Sequence, residues 1–165
     1  MAESDLRKLL SALSKKNVMN APLKAKYVEW FNAEEMHKHT QDWLSELEFI
    51  KDEHLFFEDL VKTYTLQIIN TKKFSKYQHI IDAIKHSEKR NSSLIKTIKV
   101  HSNELKIMVD GVNQPKEEEN YKKEHKNLIV LVSEFSKDYQ SLKSQLFTAI
   151  KNILKNEKQQ RLLEK

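Results

Sequence analysis

The chain has 165 residues, 39% hydrophobic and 32% charged, and 29 Lys and Arg against 24 Asp and Glu give a net charge of +5. It holds one glycine, two prolines and no cysteine. That scarcity of glycine excludes folds built on tight hairpins, Rossmann turns or phosphate-cradling loops, and the lack of cysteine excludes disulfides, thiolate metal sites and cysteine nucleophiles.

Residues 1–31 come first. The opening MAESDLRKLLSALSKKN has lysines that break up any apolar stretch, so it does not read as a signal peptide. Leu6, Leu9, Leu10 and Leu13 fall at helical spacing, and Tyr27, Trp30 and Phe31 cluster behind them. This amphipathic segment is expected to pack on one end of the domain or to pair with another chain. Leu6, Leu9, Leu10, Leu13, Trp30 and Phe31 are its candidate interaction surface.

Residues 32–165 read as a single all-α domain, an antiparallel bundle of three long helices at about 33–70, 73–110 and 115–160. Asn32 with Glu35 three residues later is a capping-box signature for the first start. The first helix carries an apolar seam through Trp43, Leu47, Ile50, His54, Phe57, Val61, Tyr64 and Ile68. The second runs Tyr77, Ile81, Ile84, Glu88, Asn91, Ile95, Ile98, Ser102 and Leu105, with Ile80, Leu94, His101 and Met108 on its flank. Gly111 then fits a left-handed residue just past a helix end, and Pro115 fits the first turn of the next helix. The third seam is His125, Leu128, Val132, Phe135, Tyr139, Leu142, Leu146, Ala149 and Ile153. Spacings of three and four sustained this long are the coiled-coil-like pattern of a bundle. The first long helix is net acidic and the second net basic, which favours their pairing. The longest apolar run, Leu128 to Val132, is far short of the ~18 residues of a membrane span, so a cytoplasmic protein is expected.

Folding one helix back on the next about residues 72 and 114 brings His54, Glu88, Asn91 and Tyr139 into one slice. These four are the candidate polar core layer, in which a buried Glu88 would need His54 or Tyr139 as partner. The same folding sets His101 near Trp43 and His125 near Gln41 and Glu104, read as hydrogen bonds, ion pairs or stacking at the helix edges. A di-iron bundle needs paired Glu-x-x-His motifs, and Glu34–His37 is a single copy at a helix start. His79, Asp82 and His86 share a face turned away from the seam. No nucleophile elbow or phosphate loop is present, so neither a catalytic residue nor a cofactor is expected.

The expected function is therefore that of a non-enzymatic interaction or scaffold protein that self-associates or binds a helical partner. One alternative is a metal or small-ligand site in the polar layer. The other is a nucleic-acid-associated protein that uses the basic second helix and the basic tail from Lys151.

Overall fold

A computed structural model of the chain describes residues 31–69, 74–110 and 115–163. Among these only Phe31, Asn32 and Tyr64 lie outside helices. The elements are α1 (Ala33–Thr63), α2 (Thr65–Ile69), α3 (Phe74–Asp110) and α4 (Pro115–Leu163). The fold is an all-α bundle dominated by three long helices, as the periodicity predicts. Leu6, Leu9, Leu10, Leu13, Trp30 and Gly111 lie outside the described residues.

α1 starts where its sequence says it should. The Asn32 side chain accepts from the Glu35 backbone N–H at 2.8 Å, and the Glu35 carboxylate accepts from the Asn32 N–H at 3.0 Å. The reciprocal bonds satisfy two donors that the first turn leaves without helical partners. One expectation is modified: the first long helix is interrupted at Tyr64 (φ −103°, ψ 14°) instead of running unbroken to about residue 70. The threonines on either side explain it. Thr63 Oγ1 donates to the Asp59 carbonyl at 2.7 Å and Thr65 Oγ1 to the Val61 carbonyl at 2.8 Å. Hydroxyls bonded back four residues compete with the amide ladder and bend helices.

Large side chains fill the interior. Trp43, Phe57, Phe135 and Tyr139 are all but completely buried, with Leu47, Ile98, Ile129 and Val132 between them. Burying each such side chain stabilises the fold by roughly 1.5–3 kcal/mol. A smaller cluster of Met36, Leu105 and Tyr121 closes the end where α1 begins. As numbers rise along α1 their partners on α3 fall: Thr40 meets Ser102, Leu47 meets Asn91 and His54 meets Ser87. Along α4 the partners on α1 rise instead, from His39 with His125 to Glu53 with Lys143, and Gln67 of α2 continues the series with Glu157. The α1 and α3 backbones approach closely, whereas α1 and α4 are bridged mainly by long side chains.

The α3 seam differs from the heptad reading in one respect. In the first half of the helix Ile80 and Ser87 are buried, while Ile81 and Glu88 are only half-buried; further along, Ile95 and Ser102 are buried. A straight α-helix drifts about 20° per heptad relative to a seven-residue repeat. The series 81, 88, 95, 102 therefore begins off the edge of the core and turns into it by its third member.

Candidate functional site

Two buried polar layers cross the bundle, one near its middle and one near the start of α1.

The middle layer holds three of the four residues named from the sequence. His54, Asn91 and Tyr139 are buried. Asn91 Nδ2 donates to the Leu47 carbonyl at 2.8 Å, tying α3 to α1. His54 Nε2 lies 3.0 Å from Ser87 Oγ, and its ring meets Tyr139 edge-on at 5.3 Å. Glu88 is half-buried at the edge of the layer, close enough for its charge to act on His54. Burial lowers the His54 pKa; the carboxylate of Glu88, the Ile50 carbonyl, Glu53 and Glu58 act the other way, and burial prevails.

The buried carboxylate of this layer is Glu53, which lies outside the apolar seam that spacing marks on α1. It accepts from the Tyr139 hydroxyl at 2.6 Å and from Lys143 Nζ at 2.7 Å, with both ends of the ion pair buried. Burial, and then the bond to Glu53, push the Tyr139 phenol well above its ordinary value. The signal available in the sequence was a pair of opposite charges, Glu53 beside seam residue His54 and Lys143 beside Leu142, at levels that meet across α1 and α4. Ser87 also lines an open groove of about 390 Å³ between α3 and α4, with His86, Arg90 and Asp138 along it.

The second layer is a file of three imidazoles, one from each long helix. His39 Nδ1 is 3.2 Å from His125 Nε2, and His125 Nδ1 is 3.1 Å from His101 Nε2. The rings stack at 5.4 and 5.3 Å between centroids. Trp43 lies against both His39 and His125. Tyr121 covers His101 nearly parallel at 3.9 Å and donates its hydroxyl to the His101 carbonyl at 3.2 Å. Burial lowers the His101 pKa to about 4. His125 falls to about 3, through burial first and then its two imidazole neighbours. Both rings are neutral at pH 7, which lets each central nitrogen pair act as one donor and one acceptor.

At the outer end of the file, His101 Nδ1 is buried and has no hydrogen-bond partner among the described residues. It faces the carboxylate of Glu124 at 3.9 Å. Among the described residues, His101, Glu104 and Glu124 are the one group of three whose ligand atoms lie close enough to hold a metal ion, within 4.8 Å of one another. Folding one helix back on the next sets His101 and His125 at this level, while the di-iron motif Glu-x-x-His does not occur there. The motif present is the reverse, His101-x-x-Glu104, which puts both side chains on one face of α3. Phe31, from the proposed N-terminal interaction surface, is half-buried and meets His39 edge-on at 5.0 Å. Asp82, grouped with His79 and His86 in the sequence, instead accepts from Gln78 at 3.1 Å.

No protein-family model, curated protein or solved structure matches the chain. No helix among the described residues is long and apolar enough to cross a membrane.

Proposed function

We propose that this chain is a non-enzymatic helical interaction or scaffold protein that self-associates, with contact made at the end of the bundle where α2 meets the last turns of α4. The observation that carries this reading is that five of the ten large hydrophobic side chains exposed among the described residues lie toward this end of the bundle. Leu66 is 73% exposed, Ile69 55% and Phe74 44%, and Leu162 and Leu163 on α4 are more than half exposed. Gln67 donates to Glu157 at 2.9 Å, which sets α2 beside the far part of α4 and brings these residues to one end. Apolar side chains gathered in one place on a surface mark an interaction site more often than scattered ones do. A patch of this kind is the same on every copy, so two chains can bury it against each other about a twofold axis.

The non-enzymatic part of the reading rests on how the middle layer is spent. Glu53 is committed to Tyr139 and Lys143, and His54 to Ser87. Such bonds fix register and specify a fold. Light scattering on the full chain tests the reading. The expected mass is at least that of a dimer, and Leu66→Glu with Ile69→Glu should lower it to the monomer with helicity unchanged. A wild-type monomer across the micromolar range would overturn the self-association.

A further inference from the structure

We propose that His101, Glu104 and Glu124 bind a divalent transition-metal ion of the Zn²⁺ class at the outer end of the imidazole file. His125 and His39 act as the positioning residues behind the nitrogen ligand.

The nitrogen is the strongest part of the case. His101 is 3% exposed, yet its Nδ1 has no hydrogen-bond partner among the described residues. A buried ring nitrogen without a partner costs free energy, and this one points at two carboxylates on different helices. Glu104 reaches it from one turn further along α3, and Glu124 from α4. Two carboxylates and a neutral imidazole balance a divalent charge, and an imidazole favours Zn²⁺ and its neighbours over Mg²⁺ or Ca²⁺. Glu104 and Glu124 are exposed, so the remaining coordination positions open to water.

The ring behind that nitrogen is held as metal-bound imidazoles are held. Tyr121 fixes its plane by stacking at 3.9 Å with only 5° between the rings. A metal on Nδ1 requires the proton of His101 on Nε2, and that N–H has an acceptor in place, His125 Nδ1 at 3.1 Å. His125 then carries its own proton on Nε2 and donates it to His39 Nδ1 at 3.2 Å. One choice of tautomer thus satisfies the whole file and leaves a lone pair facing the carboxylates. A second shell that orients the ligand and fixes its tautomer is the usual companion of a histidine metal site.

The test is calorimetric titration of the full chain with ZnCl₂, against Glu104→Gln, Glu124→Gln and the double variant. The substitutions are at exposed positions, and far-UV circular dichroism confirms that each variant is folded. The expected result is one equivalent of Zn²⁺ bound by the wild type. Each single variant should weaken binding by about tenfold or more, and the double variant should abolish it. A His79→Gln, His86→Gln variant should bind like the wild type. Absence of Zn²⁺ binding, affinity unchanged in the double glutamine variant, or loss of binding in the His79, His86 variant would each overturn the assignment.

Discussion

The two polar layers of this bundle contain similar residues and close in opposite ways. In the middle layer an anion, a cation and a phenol from two helices meet: Glu53 accepts from both Lys143 and Tyr139, with Asn91 and His54 tying in α3. In the layer near the start of α1, three imidazoles hand hydrogen bonds from helix to helix, with burial keeping His101 and His125 uncharged at neutral pH, and the file ends on a nitrogen without a hydrogen-bond partner among the described residues. A buried charge must meet its counter-charge within the fold, since removal from water is costly. A file of neutral rings has no such requirement and can terminate at a surface, where its last atom remains available. The middle layer has its own unpartnered atoms among the described residues, His54 Nδ1 and Asn91 Oδ1, but only His101 Nδ1 stands beside two carboxylates within metal-binding distance, and on that the proposed contrast between the layers rests.

The largest effect is expected from breaking the charged layer unevenly. Glu53→Leu takes the carboxylate away from Lys143 and Tyr139 together, and stability should fall by about 3–5 kcal/mol in urea unfolding. Adding Lys143→Met should recover most of that loss, because two apolar side chains of similar volume can replace a buried pair. Equal and additive losses for the two changes would show that the pair is not coupled.

The neutral layer should reveal itself through pH. His101 and His125 titrate near 6.5 when unfolded and at about 4 and about 3 when folded. Below pH 6.5 the unfolded chain therefore binds protons that the native chain does not, and stability declines as the pH falls toward those values. Between pH 6.5 and 5, above the range where ordinary carboxylates titrate, the loss should reach on the order of a few kcal/mol. The groups facing these rings are His39, Tyr121, Glu104 and Glu124. A flat urea midpoint across that interval would contradict the burial of neutral rings.

Smaller effects mark out the edges of the comparison. Asn91→Ala removes the bond to the Leu47 carbonyl and should cost about 1–2 kcal/mol. That is less than the Glu53 change because no charge is left behind. Asn32→Ala removes the capping box outside both layers and should cost about 1 kcal/mol, with a loss of helicity confined to the first turns of α1.

Much of this arrangement can be read from the residues. The spacing of Trp43, Leu47, Ile50 and Phe57, and of His125 through Ile153, marks the buried faces of α1 and α4, and all these residues are buried. The start of α1 follows from Asn32 and Glu35 because a capping box is local chemistry. What periodicity handles poorly is drift. The heptad frame puts Glu88 in the core, but a straight helix turns it to the edge and brings Ser87 inward. The interruption at Tyr64 depends on two threonine hydroxyls choosing carbonyls four residues back, which no seam pattern encodes. Glu53 and Lys143 were hidden for a different reason. Each reads as a solvated charge alone, and only the meeting of α1 with α4 makes them a pair. The histidine file was half legible: levels could be matched across helices, but which ring nitrogen faces which depends on side-chain rotation.

The most direct test of the contrast between the layers is thermal unfolding with and without Zn²⁺ in three proteins. These are the wild type, Glu53→Leu with Lys143→Met, and Glu104→Gln with Glu124→Gln. A ligand that binds only the folded state raises Tm. The account predicts that Zn²⁺ raises Tm in the wild type and in the variant with an apolar middle layer, and leaves the glutamine variant unmoved. An equal rise in the glutamine variant, or a rise abolished by emptying the middle layer of charge, would contradict it.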